Sequence, residues 1–313
     1  MKKFSVTKTD IKFNTRLRKD FTRNKSLYLM FIPVLIYFAV FCYGPMYGIL
    51  MAFQDYSPRK GITGSEWVAF ENFTKFFNSP SFWPVLRNTL KISFATILFG
   101  FPAPILLALL LNEIRSVKLG RIVQNITYLP HFISLVVVCG MVTMFTSDTG
   151  FIGMAFNAIT GNKGNMLGNP DNFLPIYVVS NIWKEVGWGS IIYLSALLSI
   201  DDSLYEAAEI DGAGRWKQTI HITLPGILPT IMIMLIMRMG QVLGVGYEKV
   251  LLLQNDANID VSEVISTYVY KRGLVKRDFS YSSAVALFNT FVNLIFLGAT
   301  NMLSKKLNDT SLW

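Results

Sequence analysis

The 313-residue chain is 52% hydrophobic and only 16% charged, with a mean hydropathy of +0.41, which excludes an ordinary soluble domain and points to a membrane protein. Its net charge of +9 does not indicate a nucleic-acid partner. Nine Lys or Arg crowd the first 25 residues, against Asp10 and Asp20, just before an apolar run, the pattern of a cytoplasmic membrane edge.

That basic segment, residues 1–26, leads into the first of six apolar windows. A helix needs roughly 20 apolar residues to cross a bilayer. The first window, Leu27–Phe53, contains Cys42 and is far longer than a signal-peptide core, so it reads as a retained span. An outer segment follows, in which "FENFTKFFNSPSFWPVL" places Phe70, Phe73, Phe76 and Phe77 on one helical face, as in a helix lying at the membrane surface. The second and third windows are Asn88–Leu111 and Ile122–Phe145, with kinks expected at Pro102 and Pro104 and at Pro130 and His131. Cys42 and Cys139 sit within apolar runs at no metal or redox spacing and read as packing residues. A glycine-rich outer loop is expected from Thr146 to Asn172.

The fourth window, Phe173–Ile200, carries Asn181, Trp183, Lys184, Glu185 and Trp188 near its centre. Ionisable groups there cost ~2.5–3.5 kcal/mol on insertion scales, so they should face protein or water rather than lipid. Neighbours in sequence point about 100° apart on a helix, so Lys184 and Glu185 are not expected to pair, and Gly187 and Gly189 offer a bend. A sugar-binding cavity and a structural network between spans both fit these residues. In the structural reading Glu185 pairs with Arg238 of the fifth window, Gly226–Tyr247. Gln241, one turn from Arg238, and Asn289 with Asn293 in the sixth window, Ser283–Leu303, either line the same path or bond neighbouring helices.

Between windows four and five lies a polar insert, Asp201–Pro225. Ser203 stands three residues before Glu206, as in a capping box, predicting a helix from Leu204 to Asp211 that Gly212 ends in the left-handed conformation. A second short helix is expected through Trp216 and Ile220, before Pro225 starts the next span. With the amino terminus inside, 16 Lys and Arg fall on the cytoplasmic side and 10 outside, which puts this elbow and both termini in the cytoplasm. Five outer charges, Lys249, Lys271, Arg272, Lys276 and Arg277, are the exception, in a stretch from Glu248 to Ser282 read as a long loop.

The run Glu206-Ala207-Ala208, Gly212 and Ile222-Thr223-Leu224-Pro225 resembles, in residues and spacing, the EAA loop of binding-protein-dependent ABC importer permeases. "YGPMYGILMAFQDY", "FENFTKFF", "LRNTL", "LPHFIS" and "LYEAAEIDGAGRWKQTIHITLP" extend the resemblance over nearly the whole chain, within the carbohydrate-uptake group related to the maltose importer. The resemblance implies an all-α, polytopic type I ABC importer permease fold with six transmembrane helices over 27–303, a coupling loop at 201–225 and a cytoplasmic tail at 304–313. It implies that Glu206, Ala207, Ala208, Asp211, Gly212, Arg215, Ile222, Leu224 and Pro225 dock and orient the elbow in a groove of a cytosolic ATPase. The partners so implied are a second, homologous permease subunit forming a heterodimer, two copies of the ATPase, and a lipid-anchored or periplasmic sugar-binding protein. An oligosaccharide is the implied substrate, carried across a bacterial cell membrane.

The chain contains only His131 and His221, with no H-E-x-x-H, G-x-S-x-G or G-x-x-x-x-G-K-[ST], so neither metal nor catalytic residues are expected. ATP and Mg are expected at the partner ATPase, with no cofactor on this chain. The competing reading is a self-sufficient secondary transporter, which should show repeat symmetry and broken helices. No convincing inverted repeat is visible.

Overall fold

The computed structural model describes residues 23–161, 164–308 and 311, so most of the basic segment and part of the 304–313 tail lie outside the described residues. The first half of the chain holds α1 (Lys25–Phe53), a two-residue antiparallel ladder of β1 (Gln54–Asp55) with β2 (Glu66–Trp67), α2 (Glu71–Phe77) and α3 (Phe82–Asn112). Next come α4 (Val117–Phe132), α5 (Leu135–Phe145), α6 (Phe151–Thr160) and α7 (Pro170–Leu197). The elbow contributes α8 (Asp202–Ile210), which leads into α9 (Arg215–Met239). Three short helices, α10 (Tyr247–Leu253), α11 (Ile259–Ser262) and α12 (Ile265–Tyr270), precede α13 (Phe279–Asn308).

Four predicted windows correspond to single helices long and apolar enough to cross a membrane: α1, α3, α9 and α13. The third does not form one rod. Its two halves, α4 and α5, meet at 101° across Ile133 and Ser134, whose extended backbone breaks the helix one turn after Pro130. The fourth, α7, has 28 residues, about 42 Å at 1.5 Å per residue. Polar residues along it, among them Asn172, Asn181, Lys184 and Glu185, leave it less apolar than the four rods.

Prolines explain much of the local geometry. A proline inside a helix lacks an N–H and crowds the carbonyl four residues earlier. In three helices a widened π turn ends two residues ahead of a proline: Phe38–Tyr43 before Pro45, Thr96–Gly100 before Pro102, and Thr219–Thr223 before Pro225. The extra residue in each turn absorbs the clash, so the helix continues. Pro225 therefore does not begin a span, as the sequence suggests; it lies within α9, which runs without interruption from Arg215 in the elbow to Met239. That helix stops at Gly240, short of the expected Tyr247, and leaves Gln241 outside the helical register.

At the centre of the packing is α7. It lies along α3 and touches α4, α5, α9 and α11. One apolar cluster joins Ile92, Cys139, Phe173, Tyr177, Val250 and Leu253; a second joins Phe76, Phe82, Ile265, Tyr268, Tyr281 and Val285; a third joins Ala108, Tyr193, Leu197 and Ile227. Between helices in lipid, close packing and hydrogen bonds replace the hydrophobic drive, and small residues permit the approach. Gly187 shows this: a Cβ there would run into the Thr127 carbonyl of α4. The glycine serves helix approach, and α7 stays one continuous helix through it instead of bending.

Two stretches expected as outer loops are ordered. Residues 151–160 form α6, closed by Gly161 at φ 72°. The Glu248–Ser282 stretch folds onto the helices, burying Val250, Leu253, Val264 and Ile265. Asn88 Nδ2 donates to the Asp260 and Glu263 carbonyls (2.8 and 3.1 Å) and Thr89 Oγ1 accepts from the Ile265 N–H (2.9 Å), tying this stretch to α3, while Ser93 Oγ donates to the Val242 carbonyl just after α9. Three of its five cations are not free outer charges: Lys249 is buried, Lys271 pairs with Glu263 at 2.7 Å, and Arg272 lies over the Tyr268 and Tyr281 rings. The phenylalanine face of α2 is likewise divided. Phe70 and Phe73 pack on Phe53, whereas Phe76 is buried against Phe82, Tyr281 and Phe288, so only part of this helix is left for a membrane surface.

Candidate functional site

The elbow is built from local chemistry. Asp201, not Ser203, caps α8: its Oδ1 accepts from the Ser203 N–H at 3.0 Å, and this bond holds its carboxyl below the usual 3.8. The helix therefore starts two residues earlier than predicted, and Glu206 is an exposed carboxylate on its face with no capping bond. At the other end Gly212 is left-handed, at φ 73°. The Ala213 N–H bonds the Ala208 carbonyl (2.8 Å) and the Gly212 N–H bonds the Glu209 carbonyl (3.0 Å), the paired bonds of a Schellman turn.

The turn folds α9 back beside α8, and a Tyr205–Thr223 hydroxyl bond of 3.0 Å closes the pair. Ala208 and Ala213 line a cavity of about 390 Å3 between the two helices, with Lys217, Gln218, His221 and Ile222. Ala207, Asp211, Arg215 and Pro225 are exposed, and Ile222 and Leu224 are half-buried. Arg215 reaches Glu113, at the end of α3, at 3.2 Å, so the elbow is tied to a membrane helix as well as to its own flanks. Ile210 is 87% exposed and Trp216 76%, an apolar surface at the elbow on α8 and the first turn of α9.

The second polar site lies on α7, and its centre is His131, which the sequence reading treated as a kink residue. Glu185 Oε2 meets His131 Nδ1 at 2.8 Å, Glu185 Oε1 meets Lys184 Nζ at 3.1 Å, and Lys184 Nζ donates to the His131 carbonyl at 2.9 Å. The Trp188 ring stacks on the His131 imidazole, with centroids 4.5 Å apart and planes within 2°. Lys184 and Glu185 thus do pair, because both side chains bend to the residue that α4 supplies. Glu185 does not meet Arg238, which makes no ion pair among the described residues. Helices α7 and α9 meet instead through Tyr193, Leu197, Ile227, Ile231 and Met234, displaced along α7 toward the elbow.

The other predicted path residues do not join this cluster. Trp183 lines a separate apolar cavity of about 510 Å3 with Met141, Phe145, Phe151 and Val179. Asn293 Oδ1 accepts from the Leu243 N–H at 2.8 Å and is a packing residue. Asn289 Oδ1 is buried without a partner among the described residues, Gln241 is exposed, and Asn181 is half-buried with no hydrogen bond on its side chain. Lys249, an outer charge by sequence, is instead buried: its Nζ donates to the Tyr177 carbonyl at 2.9 Å and lies 4.5 Å from that residue's ring centroid. Among the described residues no cluster of His, Cys, Asp and Glu is arranged to hold a metal ion.

The family described as "Binding-protein-dependent transport system inner membrane component" matches residues 100–309. Over 292 residues the chain is 45% identical to Protein LplB of Bacillus subtilis (strain 168), covering 93% of this chain and 92% of that one. It is also 45% identical over 299 residues to the polygalacturonan/rhamnogalacturonan transport system permease protein YteP of the same organism, covering 95% and 93%. A chain in the crystal structure of a bacterial alginate ABC transporter, in complex with alginate pentasaccharide-bound periplasmic protein, superposes with a TM-score of 0.87. The two are 41% identical, over 95% of this chain and all of that one.

Proposed function

We propose that this chain, which belongs to the family of binding-protein-dependent transport system inner membrane components, forms one half of the membrane pathway of an ATP-driven importer for acidic oligosaccharides. The observation that carries the substrate is the similarity, over almost the full length, to proteins whose names specify polygalacturonan or alginate. Polygalacturonan is a chain of uronic acids, and alginate is described as an acidic polysaccharide. The second half of the pathway is a homologous permease. An external binding protein delivers the sugar, and two copies of a cytosolic ATPase supply the energy.

The elbow is the coupling device in this reading. Glu206, Ala207, Ala208, Asp211, Gly212, Arg215, Ile222, Leu224 and Pro225 present α8 and the start of α9 to the ATPase. Exposed Ile210 and Trp216 supply apolar contact area. ATP and Mg are bound by that partner, and this chain has no nucleotide site of its own. Lys184, Glu185 and Trp188, gathered at His131, offer charge, hydroxyl acceptors and a flat ring inside the membrane domain. Both termini and the elbow lie in the cytoplasm.

Proteoliposomes test the reading. The two permeases with the ATPase and binding protein should take up oligogalacturonate only with internal or external ATP available to the ATPase face. Uptake by this chain alone, driven by an ion gradient, would establish a secondary transporter instead.

A further inference from the structure

One face of α3 carries a constellation that neither the elbow nor the His131 cluster uses. Trp83, Arg87 and Lys91 recur every four residues, so they stand one above the other on successive turns, about 5.4 Å apart. With Pro84, Leu90 and Phe94 they wall an open cavity of about 840 Å3, bordered on its far side by Asp260 and Val261 of α11. Asn88 holds that far wall in place through its bonds to the Asp260 and Glu263 carbonyls.

The two cations are unspent. Neither Arg87 nor Lys91 makes a hydrogen bond or ion pair among the described residues, although Asp260 borders the same cavity. Trp83 is 72% exposed and is met edge-on by Phe82, with centroids 5.0 Å apart, which leaves a ring face open. We infer that this cavity is a recognition site for a carboxylated sugar: Arg87 and Lys91 take carboxylates on neighbouring units, Trp83 packs on a pyranose face, and the Asp260 carboxylate accepts from hydroxyls. The inference rests on the acidic-oligosaccharide reading above and adds where this subunit reads the charge.

Aromatic and basic residues near a helix end also anchor membrane proteins at lipid headgroups. Two features favour the sugar. The cations line a recess that another helix borders, of a size that ligand sites occupy. The wall of the recess is also fixed, since Asn88 bonds the Asp260 and Glu263 carbonyls, which gives a ligand a set shape that a headgroup anchor does not need.

The test uses the complete importer in proteoliposomes with its binding protein, and compares trigalacturonate with its methyl-esterified, uncharged form. Each variant is scored by uptake relative to wild type for each sugar, so the selectivity of the binding protein cancels. In Arg87→Gln/Lys91→Gln the charged-to-neutral ratio should fall about tenfold or more, as loss of charge-assisted hydrogen bonds requires. Arg87→Lys should keep most of it. Equal loss for both sugars, or no loss for either, overturns the site. A fall that disappears in vesicles of zwitterionic phosphatidylcholine alone assigns the cations to lipid and also overturns it. Wild-type importer that takes up neither compound, yet imports another solute, removes the oligosaccharide reading and this site with it.

Discussion

Glu185 stands between two partners, and its behaviour separates the structure from what the sequence suggests. Its side chain is 42% exposed, against 13% for Lys184 and 28% for His131, so the cluster is only partly shielded. Removing one charged partner of such bonds costs on the order of 1.5–3 kcal/mol. A double-mutant cycle on thermal unfolding of the purified chain should show coupling between Glu185→Ala and His131→Ala. The same cycle with Arg238→Ala should be additive within about 0.5 kcal/mol, as for residues without shared partners. Strong coupling to Arg238 and none to His131 would reverse the assignment. At the elbow the sign of the pH effect follows from Asp201, whose carboxyl is held below its ordinary 3.8 by the Ser203 N–H. Its capping contribution is fully present above that ordinary value and is lost as pH falls through the lower folded value. Asp201→Asn, which caps without a charge, should abolish this dependence in hydrogen exchange of the α8 amides.

Among the elements, α7 and α4 are held at contact distance by Gly187. Gly187→Ala forces a methyl group against the Thr127 carbonyl, and overpacking of this kind costs about 1–3 kcal/mol. The variant should lower the melting temperature and also weaken the His131 cluster, which lies on the same pair of helices; Gly298→Ala, where a Cβ meets nothing within 4 Å, should do neither. An unchanged melting temperature for Gly187→Ala would show that the two helices are not in close approach. The sequence makes most helices legible because a long apolar run has few other uses: α1 and α13 match their predicted windows to within a few residues. Gly212 is legible for a similar reason, since few residues adopt φ 73° without strain. What is not legible depends on residues far apart in the chain. His131 becomes a polar hub only when α4 meets α7, Lys249 is buried only once its helix packs on the membrane helices and reaches Tyr177, and the Trp83–Arg87–Lys91 face becomes a cavity only beside α11. The π turns belong to a third kind: the prolines are visible in sequence, yet the helix widens ahead of Pro45, Pro102 and Pro225 and breaks one turn after Pro130.

Over the whole molecule, a membrane domain buries little of its own outer surface. Helix α1 buries only Ala52 among its residues, which suits a rod facing lipid or a second subunit. The expected orientation has a direct check: a cysteine replacing Trp216 in the elbow should react with an impermeant reagent only from the cytoplasm, and one replacing Ser65 only from outside. Reaction of the elbow position in intact cells would invert the topology. Coupling of this membrane domain to an ATPase through the elbow is the central claim, and Gly212→Val tests it most directly. A β-branched residue at that left-handed position is strained by on the order of 1–3 kcal/mol, while Gly212 itself lies outside every apolar helix. The measurement is ATPase retention together with sugar-stimulated hydrolysis in the purified, reconstituted complex. Loss of both, in a variant that still inserts and pairs with its homologous permease, is the predicted result; a Gly212→Val complex that keeps its ATPase and imports sugar at the wild-type rate would contradict it.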